Sequence, residues 1–445
     1  MKVNIFLTVF LLIIKGTIKT RAAIGTGENG EAHAVLCALL RLSTATITVD
    51  PPSNNAQTEY KRILKLNMSV VDSAWQKMFF KSGDTEHPHK TPKDAGVTHS
   101  HWNDNWQTWL KAAQEAAKGD GDNDIKASGF ATLTAETRSA VQLEMRKIAA
   151  AAERLRAAIS PDSTNADKLT NPEVAKTINT AAYGEEALIS DTTNPDKVIS
   201  GAGNGNTRQS LCIAKAGPTA TPTILGAAAC IRHKAHSSGT DDVCGQAVTQ
   251  QTPWTSNTDK PTAPDLKTLL ESCGKGGTEK LTAQTLRQNL EAVRQQIKTK
   301  NTDNHGYLGA FITGCSGANN AGICLKIENF KENARTSYNK IPWVAALNQL
   351  AGDLELRHRH NNADATATRQ LKEYLAQAND LVANTNLLLQ QTAAFATKEC
   401  EKQANKTAEE CTKLGCDHDS ESKKCKPKLG TENPAAGTGT GAVRE

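Results

Sequence analysis

The chain has 445 residues, of which 22% are charged and 4% are aromatic, and its formal net charge is +5. This length predicts one large domain and a smaller one. The positive charge is small and dispersed, without a lysine or arginine block, which argues against binding of nucleic acid or of a membrane through a polybasic patch. Abundant alanine and scarce β-branched alternation predict a mainly α-helical fold.

Residues 1–22 have the features of a secretory signal peptide. Lys2 supplies a positive charge, Ile5 to Ile14 form an apolar run, and Thr20-Arg-Ala22 is a small-x-small cleavage motif. The run is too short for a transmembrane helix, which takes about 20 residues. The alternative, a short buried helix, does not account for the charge and the cleavage motif. We therefore predict a mature chain that begins near Ala23 and folds in an oxidising compartment.

Two later segments have strong helical periodicity. In Thr134 to Ser160, and again from about Ala363 to Cys400, apolar or small residues recur at steps of four and three, which is a coiled-coil pattern. The second segment could extend roughly 55 Å as one helix. We predict an elongated antiparallel coiled-coil hairpin. Its seam positions are Val141, Met145, Ile148, Ala152, Leu155 and Ile159, facing Leu371, Leu375, Ala378, Val382, Thr385, Leu389 and Thr392.

The remaining regions are predicted from their composition. Residues 161–280 are rich in Gly, Thr, Asn, Asp and Pro, and should form a loop-rich head of long connections and short strands with little buried apolar surface. Residues 396–428 contain so few apolar side chains that only covalent links could fold them. We predict a helical domain over 23–395, a small four-cysteine domain over 396–428 and a disordered tail over 429–445.

Eleven cysteines are predicted to form disulfides, because an oxidising compartment favours disulfides over zinc ligation. The count is odd, so one thiol is free, pairs with another chain or is a sequence oddity. Spacing alone leaves three pairings open for the last four cysteines. The positions are Cys37, Cys212, Cys230, Cys244, Cys273, Cys315 and Cys324 in the large domain, and Cys400, Cys411, Cys416 and Cys425 near the carboxyl end.

Two N-x-S/T sequons are predicted glycosylation sites behind a signal peptide: Asn67-Met-Ser69 and Asn405-Lys-Thr407. Asn405 lies in a polar segment that should be exposed. Asn67 follows an apolar helical segment that should bury it in part.

Paired histidines are the strongest enzyme-like feature, but they lie in polar loops or beside arginines, without the fixed spacing or carboxylate partners of good metal sites. Gly201 to Gly205 lacks the preceding strand and following Lys-Ser/Thr of a phosphate loop. No catalytic motif is recognisable, so we predict no metal, no cofactor and no enzymatic activity. The pairs are His87/His89, His99/His101 and His358/His360, and Trp75, Trp102, Trp106 and Trp109 are predicted to pack a core.

Three segments together resemble the trypanosome variant surface glycoproteins. GENGEAHAVLCALLRLS carries the early Cys37, and LNMSVVDSAWQKMF (Leu66 to Phe79) is similar to a stretch of the B-type N-terminal domain. CEKQANKTAEECTKLGCDHDSESKKC is similar to one four-cysteine unit of the family's C-terminal domain. The resemblance covers roughly residues 23–428 and implies the pairs Cys400–Cys416 and Cys411–Cys425.

The resemblance implies a surface coat glycoprotein that forms a dense protective layer on a parasite, mediates antigenic variation and shields the cell from host antibodies. It also implies a homodimer with two long antiparallel helices per subunit, attached to the outer leaflet of the plasma membrane by a glycosylphosphatidylinositol (GPI) lipid. The sequence ends at Glu445 without the hydrophobic tail of an anchor signal, so the anchor rests on the resemblance alone. The alternative function is a related helical receptor that captures a host serum protein.

The sequons generate the first prediction. Digestion of the mature protein with a peptide N-glycosidase should lower its mass by one or two glycans, measured by intact-mass spectrometry. An unchanged mass would refute glycosylation at both Asn67 and Asn405.

Overall fold

The structure is a computed structural model. It describes residues 23–99, 102–160, 169–200, 206–216, 222–233, 242–246, 253–254, 261–403 and 406–427. The predicted signal peptide at 1–22, the loop 201–205, His101, Asn405 and the tail 429–445 lie outside the described residues. The helices of the described residues lack an apolar stretch of the length that a bilayer-spanning helix requires.

The described chain is mainly α-helical, as predicted. Its helices are α1 (Gly30–Ser43), α2 (Asn55–Val70), α3 (Ser73–Lys77), α4 (Asn103–Ala116), α5 (Asn123–Ser128), α6 (Ala135–Ala157), α7 (Asn171–Tyr183), α8 (Pro195–Val198), α9 (Arg208–Leu211), α10 (Ile224–Arg232), α11 (Ala263–Glu271), α12 (Ala283–Gln295), α13 (Ala334–Asn339), α14 (Pro342–Glu401) and α15 (Ala408–Lys413). Its strands are β1 (Thr46–Thr48), β2 (Ile213–Ala214), β3 (Thr278–Lys280), β4 (Ile297–Thr299), β5 (Gly306–Phe311), β6 (Gly322–Ile327), β7 (Cys416–Asp419) and β8 (Lys424–Pro427).

The chain divides into two compact units. The first contains the described residues of Met1–Pro52 and Pro161–Asn361, and the second contains those of Ser53–Ser160 and Asn362–Glu445. In the first unit, one sheet has the strand order β2-β6-β5-β4, in which β2 runs parallel to β6 and the other neighbours are antiparallel. A second sheet pairs β1 with β3 in parallel.

Helix α10 lies at the centre of the first unit, and all nine of its residues are buried. It contacts α1, α7, α11 and β6. The prediction that 161–280 buries little apolar surface was therefore wrong here, because a short helix that is apolar on all sides can serve as a central core element. Gly226 allows the close packing, since a Cβ at this position would lie 2.5 Å from the carbonyl oxygen of Val198.

The side chain of Asn29 joins three elements of the first unit. Its amide nitrogen donates to the carbonyl oxygens of Ile231 (2.7 Å) and Ile323 (2.8 Å), and its amide oxygen accepts from the backbone N–H of Ala310 (2.7 Å). The residue is fully buried. These bonds satisfy backbone groups of α10, β6 and β5 at the start of α1, where an unpaired polar group would be costly.

The core of the second unit lies between α2, α4, α6 and the part of α14 that begins at Asn362. In the first turn of α6, Thr137 donates to Asn386 of α14 (3.1 Å). Near the other end of α6, Glu153 accepts from Tyr60 of α2, and the first turn of α2 contacts Asp364 of α14. Helices α6 and α14 therefore run antiparallel, as the seam pattern predicted.

Helix α14 begins earlier than predicted, and its buried seam ends earlier than predicted. The helix begins at Pro342 rather than near Ala363, because proline is well tolerated in a first helical turn and no further proline follows in the helix. Leu371 and Leu375 are buried as predicted, whereas Leu389 is 41% exposed and Thr392 is also exposed. The seam ends because α6 begins at Ala135 and its first turn already contacts Asn386, through Thr137.

Asp364 of α14 caps the amino end of α2. Its carboxylate accepts from the hydroxyl of Ser53 (2.5 Å) and from the backbone N–H groups of Asn55 and Ala56 (both 3.0 Å). Asn54, at the usual cap position, makes no side-chain cap bond, and Asp364 is 2% exposed. A carboxylate at this place pairs otherwise unsatisfied donors and complements the helix dipole.

This cap generates a stability prediction. Asp364→Ala should destabilise the second unit by about 1–3 kcal/mol, because buried N–H groups lose their acceptor. Hydrogen exchange of the first turn of α2 should accelerate, and the denaturant midpoint should fall. Asp380→Ala, at an exposed position of the same helix, is the matched control and should change neither. Equal effects of the two substitutions would contradict the capping role.

Candidate functional site: disulfides, glycan acceptors and buried titratable groups

Three disulfides cross-link the first unit. Cys37–Cys273 joins α1 to the second residue after the end of α11. Cys212–Cys230 joins the segment before β2 to α10, and Cys315–Cys324 closes the connection between β5 and β6. The first bond links positions 236 residues apart in sequence. These bonds tie the loop-rich stretch to the central helices, so segments with few apolar side chains are held against the core.

Two disulfides form the centre of the carboxyl-terminal region. Cys400 is bonded to Cys416 and Cys411 to Cys425, which are the pairs that the resemblance implies. The four cysteines form a buried cluster of their own. Helix α15 begins with a capping box between Thr407 and Glu410, and β7 pairs with β8 in antiparallel fashion. The disulfides thus take the place of a hydrophobic core in this small region.

Cys244 is the one cysteine for which the structure differs from the disulfide prediction. Its thiol is free, and its sulfur lies 3.9 Å from the carbonyl oxygen of Ile231. Burial raises the pKa of this thiol to about 12, although the neighbouring Arg232 acts in the opposite direction. The other ten cysteines pair with each other within the chain, which leaves this thiol without a partner sulfur.

His33, which the sequence analysis did not single out, lies against the Cys37–Cys273 disulfide. One ligand atom from each of these three residues falls within 4.8 Å of the others, and within the described residues this is the sole group of three with such a geometry. Both sulfurs are bonded to each other, however, so neither is a thiolate that could hold a metal ion. The spacing of His33 and Cys37, one helical turn apart, is the signal that could have identified this pair.

Asn67 lies inside α2 rather than in a loop. The residue is half-buried, and its amide oxygen is buried without a hydrogen-bond partner among the described residues. The hydroxyl of Ser69, the third residue of the sequon, donates to the carbonyl oxygen of Leu66 (2.8 Å). This helical setting makes Asn67 a poor acceptor in the folded chain. Its use as a glycosylation site stays a prediction.

The histidine pairs are divided among unrelated contacts. His87 is exposed and contacts the carboxylate of Asp84 (2.7 Å), while the carbonyl oxygen of His89 accepts from the indole of Trp106 (2.9 Å). The ring of His99 packs against Trp102 with centroids 4.8 Å apart. His358 and His360 lie on α14. The described members of these pairs form no group of three metal-ligating residues.

The four tryptophans form an aromatic cluster in the second unit. Trp75, Trp102 and Trp109 make mutual edge-to-face contacts, with centroids 5.2 to 6.1 Å apart, and Trp106 is 1% exposed. They belong to the core of that unit or pack against it. Direct ring-to-ring packing leaves no cage between the rings, so the cluster stabilises the fold, as predicted.

Comparison with known proteins places these features in a family context. A family model described as "Trypanosomal VSG domain" matches residues 8–373. The chain is similar to variant surface glycoprotein ILTAT 1.23 of Trypanosoma brucei brucei, with 27% identity over 97% of this chain and 85% of the relative. It is also similar to variant surface glycoprotein ILTAT 1.21 of the same organism, with 26% identity over 93% of this chain and 88% of the relative.

The free thiol generates a prediction about reactivity. In the native protein at pH 8, Cys244 should resist iodoacetamide, because a buried thiol with a raised pKa forms little of the reactive thiolate. In denaturant without reductant, one cysteine per chain should be alkylated, and peptide mapping should identify it as Cys244. Rapid labelling of the native protein, or labelling at another cysteine, would contradict the described environment.

Proposed function

The chain belongs to the trypanosomal variant surface glycoprotein (VSG) family and is therefore a structural coat glycoprotein of the parasite surface, not an enzyme; we propose that it forms a dense protective layer, mediates antigenic variation and helps the parasite to evade host immunity. The observation that carries this proposal is the family match over residues 8–373. Alignment with two named variant surface glycoproteins over more than nine-tenths of the chain supports it.

The mechanism that we propose is steric, and the described structure is suited to it. A shielding protein needs a stable shape and no reacting group. The first unit obtains stability from three disulfides and a buried central helix, and the second obtains it from packed helices and a capped α2. Exposed loops on such a scaffold tolerate sequence change because core packing does not depend on them. Antigenic variation would therefore alter the loops and spare the helices.

The active form that we propose is a homodimer. Leu387, Leu388 and Leu389 of α14 are 54%, 62% and 41% exposed, and they follow the point at which the α6 seam ends. Burial of a leucine side chain contributes roughly 1.5–3 kcal/mol, so three exposed leucines on one helix support association with a second copy. Host antibodies are the other partner that a coat of this family implies.

We further propose that a GPI lipid holds the protein at the outer leaflet of the plasma membrane. The proposed domains are the helical domain over 23–395 and the four-cysteine domain over 396–428, with the four-cysteine domain nearest the lipid. Asn405 is the proposed main glycan acceptor, since it belongs to this polar region. Asn67 is the second proposed acceptor, with the helical setting described above counting against it.

The surface assignment is tested on living parasites. Antibodies raised against the recombinant chain should label intact, unpermeabilised trypanosomes that express its gene as their coat, evenly over the cell. Treatment with a phosphatidylinositol-specific phospholipase C should release the label into the medium. Label confined to the cell interior would refute the coat function, whereas surface label that resists the phospholipase would refute the lipid anchor alone.

A further inference from the structure

The imidazole of His33 is enclosed at the junction of three helical segments. Its ring nitrogens lie 3.5 and 3.6 Å from the sulfur of Cys37, one turn further along α1, and one nitrogen lies 4.0 Å from the sulfur of Cys273. The residue is 6% exposed. The disulfide beside it is the longest-range covalent link in sequence among the five described.

Arg232, at the end of α10, favours the neutral form of the His33 imidazole. Its Nη1 lies 3.1 Å from Nδ1 of His33, and its Nη2 donates to the carbonyl oxygen of Gln246 (3.1 Å). A guanidinium group has donors only, so the ring nitrogen that faces it must accept with its lone pair. A neutral imidazole has such a nitrogen, whereas a protonated imidazole has none.

The described groups around His33 do not include a negative charge that would stabilise the protonated imidazole. From α10 the ring faces the Arg232 cation, and from α1 and the segment after α11 it faces the uncharged disulfide. The thiol of Cys244, on the loop that also contacts Arg232, is neutral. Among the described residues, no carboxylate is hydrogen-bonded to or ion-paired with His33.

We propose that His33 is an acid-sensitive switch in the first unit. The neutral imidazole holds Arg232 and the disulfide together. Proton uptake from solvent at the ring nitrogen that faces Arg232 replaces this hydrogen bond with repulsion between two buried cations. The junction of α1, α10 and the segment after α11 then opens locally and exposes the Cys37–Cys273 disulfide to solvent.

The direction of the pH dependence follows from linkage. Burial, and secondarily Arg232, lowers the pKa of His33 from 6.5 to about 3 in the folded state. The neutral ring therefore contributes its full stability above pH 6.5, and this contribution is lost progressively as the pH falls from 6.5 towards 3. If the open junction restores the ordinary pKa, opening becomes about thirtyfold more frequent between pH 7.5 and pH 5.

The experiment measures reduction of individual disulfides in the full-length native protein. A water-soluble phosphine is added at pH 7.5 and at pH 5, new thiols are trapped with N-ethylmaleimide, and peptides are quantified by mass spectrometry. The Cys411–Cys425 bond, which is buried in the other unit, serves as an internal reference for the reagent's own pH dependence. The rate for Cys37–Cys273 relative to this reference should rise by about thirtyfold at pH 5.

Two variants separate the switch from general acid lability. His33→Gln keeps a hydrogen-bond acceptor for Arg232 but cannot titrate, so the relative rate should become independent of pH. His87→Gln, at an exposed histidine, is the matched control and should behave as the wild type. A relative rate that does not rise in the wild type, or an unchanged rise in His33→Gln, would overturn the proposal.

Discussion

The Cys37–Cys273 disulfide is the constraint on which the first unit depends. It closes a loop between positions 236 residues apart, and the chain-entropy account assigns up to about 5 kcal/mol to a link of that length. The segment after α11 has little apolar surface of its own, so this bond holds it against α1. Arg232 and His33 pack around the same bond, which places the end of α10 at this junction as well.

The helical core of the second unit depends on helix packing, and the two disulfides of that unit lie apart from this core, in its carboxyl-terminal region. Buried residues of α6 and α14 belong to the same hydrophobic core, and the polar contacts at its two ends define how far the pairing extends. Asp364 caps α2 at one end, and the bond from Thr137 to Asn386 marks the other. Beyond that point α14 continues with exposed leucines. The transition from buried to exposed positions on one continuous helix is the feature that supports the proposed association with a second copy.

A coat protein needs a stable fold and no reactive groups, and the buried polar groups of this chain are consistent with that requirement. Asn29 satisfies three backbone groups, and the free thiol of Cys244 has a raised pKa that keeps it unreactive. His33 is the exception, because the same burial that keeps it neutral makes the junction sensitive to acid. Burial thus contributes both to the inert thiol and to the acid-sensitive imidazole, since it disfavours the charged form of each group.

The amino-acid sequence by itself determined the features that depend on local pattern. The three-four steps of Val141, Met145 and Leu371 identified the two helices and their buried faces, because that period places these side chains on one face. Residues 396–428 have too few apolar side chains to fold without disulfides, so their dependence on the four cysteines was evident too. The family resemblance rested on contiguous motifs and was therefore also visible in the sequence.

The tertiary structure alone decided which distant residues meet. The sequence could not show that α14 begins at Pro342, that α10 is buried on every side, or that Cys244 is the unpaired thiol. Nor could it place Arg232 against His33, since 199 residues separate them. Such contacts depend on how helices and strands pack in three dimensions, and a periodic pattern carries no information about a partner so far along the chain.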